Sequence, residues 1–323
     1  MALSKTYSSL DILSCYGTKF NYAEFTKRIR IDIGSVCNCK CEFCYQRGTK
    51  RFVRHDVREQ IATCASLGFT SFDFSGGEPS VLKNLPEYCG YASHFGQVSC
   101  LSNGYGFADA GYLKACVQAG LSEILFSVHS LDPGVYESIT HNSFKRLMTG
   151  LTLAENAGLK LRLNVTVYSA NLPSLKLFKD FVSAHGITQI NFIILNRFSH
   201  ASDFPQQDTY ALACALNEVL DDFTVECNVR YAPFCYFPSH VSKVKGYFQH
   251  LYDAQDWSMI SYRCTLEGLT AQDVPAECVK IARQSRLAHF RHKPECRGCR
   301  YFFDCDGVKE WEDPVFPVKD ERI

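Results

Sequence analysis

What the chain lacks narrows it first. Its 34 basic and 34 acidic residues cancel, which leaves no field suited to wrapping nucleic acid. No apolar run approaches the roughly 18 residues of a membrane span. The first residues do not follow the basic, apolar and small-residue order of a signal peptide. These absences point to a cytoplasmic chain with neither a membrane nor a nucleic acid as partner. Internal repeats, low-complexity tracts and Pro/Gly-rich linkers are also missing.

Cysteine, by contrast, is abundant, at 17 in 323 residues. A secreted disulfide framework would be short, loop-rich and signal-bearing, and this chain is none of these. Cys64, Cys100, Cys116 and Cys214 sit in apolar patterned stretches, where a free cysteine serves as a small buried hydrophobe. The clustered cysteines need another explanation, and in a reducing compartment the usual one is metal.

Strand-like and helix-like patterns alternate from about residue 28 to 222. RIRIDI (28–33) alternates polar with apolar residues, while SFDFS (71–75), QVSCLS (97–102), EILFSVHS (123–130), KLRLNVTV (160–167) and QINFIIL (189–195) are rich in β-formers. Between them lie helical stretches such as 107–120 and 171–186, each ending at a glycine. Six strands each followed by a helix imply parallel pairing. The series suits a doubly wound sheet or a barrel. Six units are too few for a closed eight-stranded barrel, so the expected fold is α/β, a partial (β/α)6 barrel. The divisions expected are an N-terminal extension (1–27), the barrel (28–222) and a small α+β C-terminal domain (223–323).

Ligands of such folds bind at the carboxyl ends of the strands. Three unusual loops share that end: SVCNCKCEFCYQRG after the first strand, SGGEPS after the second and LSNGYG after the third. The first holds Cys37, Cys39, Cys41 and Cys44. These four thiols suffice for a closed zinc site. Alternatively, three of them, as C-x3-C-x2-C or C-x-C-x2-C, would hold a [4Fe–4S] cube and leave one iron open.

C-x3-C-x2-C after a first strand, with Phe43 before its last cysteine, resembles the radical S-adenosylmethionine (SAM) superfamily. The resemblance implies cluster ligation by Cys37, Cys41 and Cys44, with Cys39 a bystander pointing away. It further implies SAM on the open iron, an electron donor such as flavodoxin or ferredoxin, and hydrogen abstraction from a substrate. It assigns SAM contacts to Phe43 and the backbone of Tyr45, to Gly76, Gly77 and Glu78 of the GGEP loop, and to Asn103, Ser127, Asn164 and Ile193. The glycines would let backbone approach the ligand, and Glu78 would face the methionine ammonium.

ECRGCRYFFDCDG (295–307) adds C-x2-C-x5-C and resembles the C-terminal auxiliary-cluster domains called SPASM and Twitch. The implied ligands of a second [4Fe–4S] cluster are Cys296, Cys299 and Cys305 with Cys264, with Cys278 and Cys235 as alternatives for the fourth. Structural zinc is the competing reading. The expected function is a radical SAM enzyme acting on a small biosynthetic molecule. The alternatives are maturation of a ribosomally made peptide and a non-catalytic iron–sulfur or zinc protein. Only 27 residues precede the first strand, few for a leader-binding domain. No residue declares itself as the catalytic hydrogen or proton donor.

Overall fold

Alternation along the strands decides the architecture, and the expected series is present in order. The computed structural model describes residues 26–44, 56–195, 207–247, 266, 268–302 and 304–309. β1 (Arg28–Asp32), β2 (Ser71–Ser75), β3 (Gln97–Ser102), β4 (Leu121–Ser127), β5 (Lys160–Val167) and β6 (Gln189–Ile194) lie side by side in chain order, all parallel. Two more strands extend the same sheet, β7 (Glu226–Arg230) and the two-residue β8 (Val244–Lys245). Pro233 and Pro238, which break the stretch just after β7, and the shortness of β8 obscure both in the sequence. The sheet therefore runs past residue 222 as an eight-stranded, half-barrel α/β fold.

Parallel neighbours need crossovers, and helices supply them: α1 (Val57–Ser66), α2 (Leu85–Ser93), α3 (Ala110–Gln118), α4 (Pro133–Thr140), α5 (Phe144–Asn156), α6 (Phe178–Ala184) and α7 (Thr209–Leu220). Aspartates at 56, 109, 132 and 208 cap four of them, each carboxylate accepting from a first-turn N–H. The stretch 171–186 is helical in two parts. A 3-10 segment, Ser169–Leu177, contains Pro173 and leads into α6, and Gly186 ends it at φ +58°. Cys64, Cys100 and Cys116 are buried as expected, but Cys214 is exposed. On α7 the core stripe falls on Leu212, Ala213, Leu216 and Leu220, which turns position 214 outward.

One face of the sheet is apolar and lies under the helices, with Ile29, Ile31, Phe72, Phe74, Ile124 and Phe126 all fully buried. The other face carries the polar alternates. Arg28 reaches Asp73 at 2.8 Å and Glu123 at 3.0 Å, and Arg162 pairs with Glu123 and donates to Gln189 Oε1 at 3.0 Å. Burial pushes the Glu123 carboxyl up, but Arg162 and Arg28 outweigh it and hold the group below its ordinary range. The polar residues of RIRIDI thus belong to a charged inner face rather than a solvated one.

After the barrel strands, α8 (Val274–His289) leads into a small antiparallel pair, β9 (Phe290–Arg291) and β10 (Val308–Lys309). Lys309 docks this pair on the barrel, donating to Leu195 O and Thr209 Oγ1, both at 2.8 Å.

Candidate functional site

The loops after β1 and β2 are bonded to each other before any ligand is considered. Ile33 N donates to Ser75 O (2.8 Å), Gly77 N to Gly34 O (2.9 Å) and Glu78 N to Val36 O (2.7 Å), so the ladder continues past the strands. A Cβ on Gly76 or Gly77 would run into the carbonyl oxygens of Gly34 and Val36. Gly76 also holds φ +134°, where a side chain is strained. The glycines are thus required for close approach to the cysteine loop itself.

Glu78 is buried and tied to protein donors. Oε1 accepts from Ser80 N (3.0 Å) and Ser102 Oγ (2.5 Å), and Oε2 from Asn103 N (2.6 Å). Burial pushes its carboxyl above the usual range, against the pull of these donors. The residue expected to face an ammonium therefore clamps the loop after β3 to the loop after β2.

The cysteine loop rests on the far end of α4. Lys40 N donates to Thr140 O (2.9 Å) and Glu42 N to Ile139 O (3.3 Å). Cys37 is exposed, and Cys39, Cys41 and Cys44 are half-buried. Cys39 Sγ accepts from Asn103 Nδ2 (3.0 Å) and Asn142 Nδ2 (3.1 Å), so it does not point away unused. Phe43 packs edge-on against His129 (4.8 Å between centroids) and Tyr168 (5.6 Å), beside Ile139, Leu195 and Val135.

His129 Nδ1 accepts the Thr166 N–H at 3.2 Å, which puts the proton of the neutral ring on Nε2. Burial lowers its pKa to about 4. Asn171 staples the same corner, with Nδ2 on His129 O and Thr166 O (both 2.6 Å) and Oδ1 on Tyr168 N (3.0 Å).

Three polar positions expected from sequence lie along this mouth. Asn103 follows β3, half-buried Ser127 ends β4, and Asn164 is its register partner on β5. The row continues through residues the sequence reading missed. Asn191 Nδ2 donates to Asn164 Oδ1 (3.0 Å) and Asn228 Nδ2 to Asn191 Oδ1 (3.2 Å). Ile193, half-buried, pairs in register with Thr166 and Arg230. The available signal was an asparagine flanked by apolar residues in each of two strands, Ile190 and Phe192 around Asn191, Cys227 and Val229 around Asn228. Asn142 and His129 had no comparable signal. Tyr45 and Cys264 lie outside the described residues.

In the tail, Cys296 and Cys299 are half-buried and Cys305 is buried. Cys299 Sγ accepts from Tyr301 N (3.4 Å), and Cys305 Sγ from Gly307 N (3.3 Å) and Phe234 N (3.4 Å). Burial pushes the Cys305 thiol up to about 12, against the pull of its two N–H donors. The Phe234 bond also brings the neighbour of Cys235 against this set, while Cys278 is fully buried in α8. Among the described residues, no three His, Cys, Asp or Glu side chains converge as the ligands of a single ion would. A cube distributes its thiolates over separate irons and does not ask for that convergence. The three thiols braced on one loop at the mouth fit such a group in donor type and number.

Residues 31–172 match the model of the radical SAM superfamily. A probable GTP 3',8-cyclase of Sulfolobus acidocaldarius is 30% identical over 184 residues, 54% of this chain and 58% of the relative. The GTP 3',8-cyclase of Psychromonas ingrahamii is 29% identical over 208 residues, 61% of this chain and 59% of the relative. The chain thus spans less than two thirds of these relatives. Among solved structures, Streptococcus suis SuiB bound to S-adenosylmethionine superposes with a TM-score of 0.62 at 14% identity, over 88% of this chain and 73% of SuiB. The structure of anSMEcpe with bound AdoMet and the Cp18Cys peptide gives 0.57 at 13% identity, over 86% of this chain and 88% of that one. At such identities the superpositions establish the fold.

Proposed function

We propose that this chain, whose residues 31–172 match the radical SAM superfamily model, is an enzyme that cleaves SAM reductively and abstracts hydrogen from a small biosynthetic molecule. The observation that carries the proposal is the braced loop: Cys37, Cys41 and Cys44 at the carboxyl ends of the strands, locked to the Gly76–Gly77 turn. The cluster and SAM, when bound, supply an electron and a 5′-deoxyadenosyl radical. The chain's own residues supply position. Phe43 in its aromatic pocket fixes the turn between Cys41 and Cys44. The Glu78 clamp sets where Asn103 stands relative to the cysteine loop. Ser127 and Asn164 offer polar atoms for the ribose and carboxylate of SAM, and Ile193 an apolar surface for adenine. Within the barrel, the walls keep a reactive species from water.

For the substrate, the curated relatives favour a small molecule, since their names specify GTP. A peptide substrate is the second reading, favoured by the SPASM-like tail motif and by SuiB bound to its precursor peptide SuiA. The tail cysteines Cys296, Cys299 and Cys305 are proposed to hold an auxiliary [4Fe–4S] cluster, with Cys235 and Cys264 both candidates for the fourth ligand. The domain division proposed is a barrel from residue 28 and a tail unit after it.

The test is to measure 5′-deoxyadenosine formed by the reconstituted, reduced protein with GTP, other nucleotides, or peptides added. A small molecule that raises the yield well above the substrate-free background supports the proposal. Stimulation by peptides alone contradicts it.

A further inference from the structure

Cys39 is the one thiol of the loop that the ligand reading leaves without a task, yet the structure surrounds it with donors. Asn142 Oδ1 accepts the Ser143 N–H at 2.9 Å, and Asn103 Oδ1 accepts the Tyr105 N–H at 3.0 Å. A backbone N–H can only donate, so each amide is oriented with its oxygen there and its NH2 end at Cys39. Both amides therefore present donors to the same sulfur, at 3.0 and 3.1 Å. Asn103 Nδ2 also donates to Asn38 Oδ1 at 2.9 Å. The two asparagines come from different elements: Asn103 from the loop after β3, Asn142 from the turn that follows α4.

His141, which caps α4, holds φ +52°, the left-handed conformation in which many helices end. It reverses the chain after Thr140, whose carbonyl takes Lys40 N, and directs Asn142 back toward Cys39. Residues 139, 140 and 142 thus hold the cysteine loop at three points: Glu42 N, Lys40 N and Cys39 Sγ.

We propose that Cys39 is a positioning residue, the sulfur acceptor that latches the cysteine loop to Asn103 and Asn142 and so preforms the spacing of Cys37, Cys41 and Cys44 before a cluster is loaded. This rests on the reading of those three as the ligands. Serine at 39 retains an acceptor; alanine does not. Aspartate at 142 keeps the shape of asparagine but has no N–H to give.

Amide hydrogen exchange of Lys40 and Glu42 in the cluster-free protein tests the latch without any cofactor. Cys39→Ala and Asn142→Asp should each speed exchange at both amides by about fivefold or more, the scale of one lost hydrogen bond. The double variant should exchange no faster than Cys39→Ala alone, because both changes remove the same bond. Cys39→Ser should stay near wild type. After reconstitution, Cys39→Ala should keep its full iron content. Unchanged exchange in the single variants, or effects that multiply in the double, would overturn the latch. Iron lost from Cys39→Ala but not from Cys37→Ala would make Cys39 a ligand, and would fail the ligand reading rather than the exchange result.

Discussion

Glu78 donates its backbone N–H to the Val36 carbonyl at 2.7 Å, one residue before Cys37. The turn after β2 and the loop that carries Cys37, a proposed cluster ligand, are therefore parts of one hydrogen-bonded unit. A side chain at Gly77 would collide with that same carbonyl. Gly77→Ala should displace the loop and lower iron uptake on reconstitution as well as SAM affinity. Iron content at the wild-type level with only SAM binding lost would restore the simpler role, in which the glycine yields space to a ligand.

Arg28 holds Asp73 and Glu123 together inside the barrel. Replacing it with methionine leaves buried carboxylates short of their cation, a loss on the order of 3–5 kcal/mol for a broken buried pair. Chemical denaturation should show a correspondingly lower midpoint for Arg28→Met. A change within about 0.5 kcal/mol, as is usual for a surface substitution, would mean that the inner charges are solvated.

His129 gives a pH signature. Its pKa in the folded protein is about 4, against roughly 6.5 when unfolded. Between those values the unfolded chain binds the extra proton, so stability is complete above about pH 6.5 and falls as pH drops toward 4. The gap corresponds to roughly 3 to 4 kcal/mol at most. His129→Gln should flatten the stability profile of the cluster-free protein across that window. A profile as steep as wild type would place the titration elsewhere.

The tail makes a count. With both clusters loaded, the chain should carry about eight irons, and the Cys37/Cys41/Cys44 triple alanine variant about four, still brown. A colourless triple variant with about one zinc would make the tail a structural zinc site.

Much of this was legible in the sequence because strand periodicity and cysteine spacing are local. The six strands, the mouth they share and the cysteine loop follow from alternation and from residues within a few positions of one another. β7 and β8 did not, since one runs into a stretch broken by Pro233 and Pro238 and the other is two residues long. The partners of Cys39 were also invisible. Asn103 and Asn142 lie 64 and 103 residues away, and nothing in HNS or SNG distinguishes a sulfur donor from a turn. GGEP was read as a ligand loop because glycine permits close approach. The sequence does not show that the cysteine loop also approaches these glycines.

Cys37, Cys41 and Cys44 are proposed to hold the cluster that cleaves SAM. The most direct measurement is 5′-deoxyadenosine produced from SAM by anaerobically reconstituted protein under dithionite. Wild type and Cys39→Ser should form it, and Cys37→Ala, Cys41→Ala and Cys44→Ala should form none. Product from any of those three alanine variants at the wild-type rate, or none from fully loaded wild type, would contradict the account.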